Sequence, residues 1–373
     1  MITITNRLTN LYNKLLSLSD KTNYENNEAL HSEELENYRF HNDAITNSVI
    51  SNSSNQDTSI PNISDDSSIS LSSIESIEDN IEFYINELKE KGYTVIPNVY
   101  NNEEINTYWN EFNLWREKVQ DLDHLHNIID FNGIFKHHQV GHQRFAWLAR
   151  TNPKILKIFK KIWNTDELVC SFDGCCYYPS DYIGLPSYWT HTDQSSLKKG
   201  AHCYQSFLSL TNNKKRTLII YENTHNYHEE YFQIMGIEEP KDWNIIDQNY
   251  LMRCHYDKEV ILDVKQGDLV IWDSRTFHQN TCGPIESNEE RLVQYLCYLP
   301  KNNIKNTEKE QKQRQKFFDK KRTTSHWPYP MNPVPEQPNF YNYYYPDQPI
   351  YIDYNNLPPP ILDDLLPEIK KLL

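Results

Sequence analysis

The chain has no run of about 18 apolar residues, so no segment reads as a membrane-crossing helix. Its first residues lack a basic stretch followed by an apolar one, and no secretory signal is expected. Cysteines number seven in 373 residues, an odd count without a C-x-x-C pair, which argues against a disulfide framework and for reduced thiols. Cys175 and Cys176 are adjacent, and a strand would point them to opposite faces, so they do not suggest a shared zinc. A basic stripe is also missing. The formal charge is −15; residues 1–80 carry 4 basic and 13 acidic side chains, hence −9, and residues 81–373 carry the remaining −6. Binding to phosphates requires the opposite sign, so nucleic acid is not an expected partner. Together these absences lead us to expect a soluble, cytoplasmic protein.

Aromatic residues are plentiful. They make up 13% of the chain, with 26 Tyr and 8 Trp, and such side chains suit pleated sheets and aromatic-lined cavities better than helical bundles. The Ser-, Asn- and Asp-rich stretch at 45–80 cannot bury enough apolar area to offset its ordering entropy, and it reads as a disordered linker. Before it, Leu8, Leu11, Leu15 and Leu18 recur at helical spacing, which predicts a short amphipathic helix. Order is expected from about residue 79, as a helix stopped at Gly92, a strand "YTVI" and a second amphipathic helix. "NPKILKIFKKIWN" predicts a further helix, capped by Asn152 with Pro153 in its first turn.

From there the texture changes to strands. "ELVCSFDGCCYYP", "HCYQSFLSL", "RTLIIYENT", "EVILDV", "DLVIWD" and "RLVQYLCYL" are separated by turn residues and show no βαβ alternation. This predicts a mainly β fold with flanking helices, a sandwich or jelly roll. The expected organisation is 1–80 largely disordered, 81–330 as the folded domain, and 331–373 as a Pro- and Tyr-rich tail packing on it.

Chemistry concentrates in two places. In "YWTHTDQSS", His191 and Asp193 are separated by one residue, so on a strand both would leave the same face. In "GDLVIWDSRTFHQN", His278 follows a strong strand and supplies a third donor. Two histidines and one carboxylate on one face are the facial triad of non-haem Fe(II), which leaves positions open for a cosubstrate and dioxygen. Beyond His278, Arg291 opens "RLVQYLCYL", and an antiparallel return would bring it back near the site with Val293 and Tyr295 on its face. A planar guanidinium pairs bidentately with a carboxylate, so Arg291 suits the distal carboxylate of 2-oxoglutarate.

Taken in order, "IPNVYNNEEI", "SFDG", "HTDQ", "GDLVIWDSRTFHQN" and "RLVQYL" resemble the phytanoyl-CoA dioxygenase-related branch of the Fe(II)/2-oxoglutarate oxygenases. The resemblance covers roughly residues 80–330, and "TTSHWP" at 323–328 resembles the tail of some members. It implies a double-stranded β-helix, a cupin-like jelly roll whose mouth holds the iron. It implies His191, Asp193 and His278 as iron ligands and Arg291 as cosubstrate anchor. Asn280 is implied as a helper on the same carboxylate, and Gln205 as a pocket residue on its strand. The implied reaction hydroxylates a small molecule with dioxygen, releasing succinate and CO2; Asp193 speaks against a halogenase variant, which leaves that position free. The chain departs from the family pattern after Leu210, where "TNNKKRTLIIYENTH" replaces a Gly-rich turn and His225 stands at the family's "SH" position. A second reading therefore stands beside the first: a non-catalytic jelly-roll binding protein, or a cupin-like metalloprotein that does not use 2-oxoglutarate.

Other candidates read more plainly. His137, His138 and His142 lack the Glu of a metalloprotease motif and are interrupted by Gly141, so they are expected at the surface or on a pocket rim. Gln143 or Arg144 is a candidate to face the site. Tyr177, Tyr178, Tyr188 and Trp189 are expected in core or rim packing, or else along a substrate channel. The run at 308–322 is expected to be a solvated helix.

Overall fold

The computed structural model describes residues 72–129, 131–184, 187–284 and 286–373. The helix expected around Leu8–Leu18 and most of the linker lie outside these residues. Helix α1, Ser72–Lys91, starts inside the stretch expected to be linker. It ends at Gly92, whose φ of +83° is open to glycine, and a Cβ there would collide with the His225 ring. Strand β1, Tyr93–Ile96, follows. Helix α2, Asn102–Lys118, begins with a capping box, in which Asn101 accepts from the Glu104 amide and Glu104 accepts from the Asn101 amide. Its buried face presents Tyr108, Phe112 and Trp115. After β2, Ile134–Phe135, helix α3 spans Arg144–Arg150. Helix α4, Pro153–Trp163, is capped by Asn152 with Pro153 at its start, as the sequence predicts.

The remaining strands are β3, Leu168–Cys170; β4, Cys175–Tyr178; β5, His191–Thr192; β6, Tyr204–Ser209; β7, Leu218–Tyr221; β8, Asn244–Ile245; β9, Glu259–Ile261; β10, Leu269–Asp273; β11, His278–Asn280; and β12, Arg291–Pro300. They form two antiparallel sheets. One runs β1-β10-β6-β12-β4-β2 with β3 paired to β12, and the other runs β8-β5-β11-β7-β9. This is a jelly roll with helices outside it.

Helices α1 to α4 cover one face of the larger sheet. Phe112 is the hub of that layer, with ring contacts to Tyr108, Trp109, Trp115, Phe135, Phe145 and Tyr177. The opposite face of the same sheet packs toward the smaller sheet through Cys176, Phe207, Val270, Trp272 and Val293. Cys175 and Cys176 fall into different core clusters, as expected for neighbours on a strand. Helix α5, Glu308–Asp319, is exposed along most of its length but buries Arg314 and Phe317. Among the described residues no helix is long and apolar enough to cross a membrane.

One stretch differs from expectation. His137, His138 and His142 are buried, at 6%, 2% and 1% exposure; polar side chains enter a core when the backbone offers acceptors, as Arg322 O does for His142 Nε2 at 3.0 Å. Burial holds the His142 pKa down at about 3. The segment after Leu210, where the chain departs from the family pattern, is held by a dense set of hydrogen bonds. The Glu289 carboxylate accepts from the amides of Lys214, Lys215 and Arg216, and the buried Arg216 guanidinium donates to four backbone carbonyls, among them Tyr182 O and Ser287 O.

Candidate active site

The chain leaves the larger sheet at Asp273 and enters the smaller one at His278, so "WDSRTFH" is a crossover at the mouth of the roll. There His278 and His191 are direct partners in the β5–β11 pair, and their rings lie 4.4 Å apart. Asp193, just past β5, donates its amide to Ser274 O on the crossover at 2.9 Å, which turns its carboxylate toward the two rings. Asp193 Oδ2 lies 3.5 Å from His191 Nε2 and 3.3 Å from His278 Nε2. One donor atom from each residue falls within 4.8 Å of the others, and all three are buried.

Alternation along β11 explains the precision. His278 and Asn280 face the cavity, while Gln279 points the other way and accepts from Thr190 Oγ1 at 2.7 Å and from the Trp189 amide at 3.1 Å. Gln279 thus clamps the strand that carries His191. Trp189 stacks on the His191 ring at 4.8 Å, and its indole donates to Asn280 O.

The donor set fits a divalent metal. His191 Nδ1 lies 2.9 Å from Trp189 O and His278 Nδ1 lies 2.8 Å from Thr276 O; a carbonyl only accepts, so each Nδ1 carries its proton and each Nε2 turns its lone pair inward. Two lone pairs and a carboxylate oxygen then meet with no donor between them unless an imidazole is charged, and a metal cation satisfies all three. Burial by itself pushes the Asp193 carboxyl up, but positive charge on His191 and His326, with hydrogen bonds from His191 and His278 when those imidazoles are protonated, outweighs it and holds it well below the usual range; a bound cation would supply that positive charge in place of the protons. Burial, followed by the nearby His191 charge, holds His278 below its ordinary value.

Next to this cluster lies Arg291, 1% exposed. Its Nη2 donates to Asn280 Oδ1 at 3.0 Å and its Nη1 to Cys176 Sγ at 2.9 Å, and Asn280 Nδ2 donates to Tyr295 OH. Among the described residues no carboxylate lies within ion-pair distance of this guanidinium. An anchored, buried cation without a counter-ion is a ready site for a ligand's carboxylate. Gln205, expected in the cosubstrate pocket, donates its amide to Asp193 Oδ2 at 2.9 Å and so positions a candidate ligand.

The three candidate ligands, with Gln205, Asn280 and Tyr295, line a cavity of about 310 Å³ that also includes Trp189, Trp243 and Trp272; Arg291 is joined to this wall through its hydrogen bond to Asn280. The sequence reading did not single out Trp243, Asp173 or His326, all of which line it. Asp173 lies in "SFDG" and His326 in "TTSHWP", so both stood in motifs already noted, but nothing in the spacing said that they meet the cavity. Gln143, by contrast, donates to Gln139 O, and Arg144 pairs with Glu111 and Asp364; neither lines the cavity. His225 hydrogen-bonds Lys89 O, and Tyr177 and Tyr178 are core.

A family model, Phytanoyl-CoA dioxygenase (PhyH), matches residues 88–291. The chain therefore belongs to the phytanoyl-CoA dioxygenase family, a group of oxygenases that work with Fe(II) and 2-oxoglutarate. A curated relative, "Ava biosynthesis cluster protein O" of Aspergillus versicolor, is 30% identical over 205 residues, which is 47% of this chain and 61% of that protein. The chain thus spans about three fifths of the curated relative that it matches. Among solved structures, the epimerase SnoN in complex with Fe3+, alpha ketoglutarate and nogalamycin RO is 14% identical, with a TM-score of 0.42, over 60% of this chain and 84% of that one. HygX from Streptomyces hygroscopicus, with nickel, 2-oxoglutarate and hygromycin B bound, is 11% identical, with a TM-score of 0.41, over 59% and 87%.

Proposed function

We propose that this protein is an Fe(II)- and 2-oxoglutarate-dependent oxygenase that hydroxylates a small molecule. The observation that carries the reading is the pairing of a buried His191–Asp193–His278 cluster with a buried guanidinium, without a counter-ion among the described residues, that donates to Asn280 on the wall of the same cavity. His191, Asp193 and His278 would hold the iron, which when bound supplies the two-electron oxidation that couples dioxygen to 2-oxoglutarate and substrate. In balance, 2-oxoglutarate, dioxygen and a substrate C–H give succinate, CO2 and a substrate C–OH.

The protein's own groups do the positioning. Arg291 receives the distal carboxylate of 2-oxoglutarate, with Asn280 holding the guanidinium plane and Tyr295 holding Asn280. Gln205 fixes Asp193, and the backbone carbonyls of Trp189 and Thr276 fix the two imidazoles. Trp189 and Trp272 wall the histidines and exclude water from the reacting region.

The test is succinate formation from 2-oxoglutarate under air with added Fe(II), together with anaerobic 2-oxoglutarate binding. Iron-dependent turnover in the wild type, lost in His191→Ala, is the expected result. A folded, metal-loaded protein that does not bind 2-oxoglutarate would refute the reading.

A further inference from the structure

Trp243 is 44% exposed, whereas Trp272 on the same cavity wall is 3% exposed. Its direction follows from register. In the β5–β8 pair His191 stands opposite Ile245 and Thr192 opposite Asn244, so the next position sets Trp243 opposite Asp193, and cross-strand partners share a face. That face carries the candidate ligands, and the centre of the Trp243 ring lies 5.7 Å from that of His191. An indole is normally well covered, and one left open against a cavity has a flat apolar face to offer.

The segment that carries this indole is fastened. The Ser195 amide donates to Asp242 Oδ1 at 3.1 Å, and Ser195 Oγ and Ser196 Oγ donate to Glu239 O at 2.7 and 3.2 Å. Lys198 Nζ pairs with Asp242 Oδ1 at 2.6 Å and stands 3.9 Å from the centre of the Trp327 ring. Trp327 follows His326, which lines the cavity, so Lys198 ties the Trp243 segment to a second part of the wall. The surroundings suit an apolar ring, with Phe135, Leu218, Trp189 and Leu296 lining the same space. The charged groups of the wall outside the metal cluster are met by the protein or by water. Burial pushes the Asp173 carboxyl up, toward its neutral form, and the buried Arg150 guanidinium donates to Asp173 O at 2.6 Å, which sets a cation beside any charge that Asp173 keeps. Lys136 and His326 are half-buried and keep part of their surface in water.

We propose that Trp243 is a specificity-determining residue of this site, a platform on which a flat aromatic ring of the substrate stacks beside the metal cluster, and that Lys198 positions it through Asp242. The proposal rests on the oxygenase reading for the fate of the bound molecule, but the platform itself is tested without turnover. A flat π-ring meets an indole face over its whole area in an offset stack, and a puckered saturated ring of the same skeleton does not.

The experiment compares 2-naphthol with trans-decahydro-2-naphthol, which share a carbon skeleton and a hydroxyl, by calorimetric titration of the full-length protein. The flat probe is expected to bind about tenfold tighter. Trp243→Ala should erase that preference and Trp243→Phe should keep most of it. Lys198→Met should weaken 2-naphthol binding severalfold, and Lys198→Arg should restore it; thermal unfolding of each variant checks its fold. Equal affinities, no binding of 2-naphthol up to about 2 mM, or a preference that survives in Trp243→Ala overturns the platform, and wild-type binding in Lys198→Met overturns the positioning role. The same preparation is titrated anaerobically with 2-oxoglutarate after metal loading. A preference that depends on Trp243 without 2-oxoglutarate binding keeps the platform and removes the oxygenase reading, while 2-oxoglutarate binding without the preference does the reverse.

Discussion

Replacing Arg291 with Met separates ligand affinity from stability. Two charge-assisted hydrogen bonds to a carboxylate contribute about 1.5–3 kcal/mol each, but the partial loss of one is recovered by water and Asn280, so a net loss of about 3 kcal/mol is a fair expectation. That corresponds to roughly a hundredfold weaker 2-oxoglutarate binding. Stability should respond differently. The variant orphans Asn280 Oδ1, at a cost of about 1–3 kcal/mol, but it also removes a fully buried charge that has no counter-ion among the described residues, and this offsets the loss. The melting temperature should therefore stay within about 5 °C of wild type. Anaerobic 2-oxoglutarate titration and thermal unfolding on one preparation give both numbers. Binding within threefold of wild type would refute the role given to Arg291. A collapse in stability with no ligand present would show that the guanidinium serves the core instead.

Asp193→Ala should lower Co(II) affinity by two or more orders of magnitude, read by the visible spectrum of the bound ion, because a third of the donor set is lost. Phe112→Ala, at the hub of the aromatic layer, should cost about 3–5 kcal/mol in urea unfolding, and a cost below 1 kcal/mol would mean that the layer is not packed as described. Burial lowers the His142 pKa to about 3, below its ordinary 6.5. The unfolded chain then binds the proton more readily, so stability is full above about pH 6.5 and falls as the pH drops toward 3. This costs about 1–2 kcal/mol by pH 5; in His142→Gln the slope of unfolding free energy against pH between 6.5 and 4 should flatten, and an unchanged slope would contradict it.

Much of the fold was legible because its elements obey local rules. The Asn152 cap, the Gly92 stop and the strands "YTVI", "DLVIWD" and "RLVQYLCYL" all stand within a few residues of where the pattern puts them. The meeting of the three candidate ligands was legible for a different reason: His191 and Asp193 share a face through period-two alternation, and a histidine past a strong strand needs only one crossover to join them. The register that makes His191 and His278 direct partners was not legible, since it depends on which strand neighbours which. Histidines 137, 138 and 142 are buried against expectation, and for His142 the reason is a backbone carbonyl far along the chain, Arg322 O. Asp173 and His326 share one cavity by the same long-range route, and no local pattern announces that.

The cross-strand pairing of His191 with His278 also ties metal uptake to folding. The two imidazoles are distant in sequence and become neighbours only when the smaller sheet has closed, so an unfolded chain offers the ion no comparable set of donors. By mass action the metal then favours the native state by RT ln(1 + [L]/Kd), about 2.7 kcal/mol at a hundredfold excess over Kd. In the oxygenase reading proposed above, the centre would act as a thermodynamic latch on the crossover at 273–278, and loss of the metal would lower the stability of the protein together with its activity.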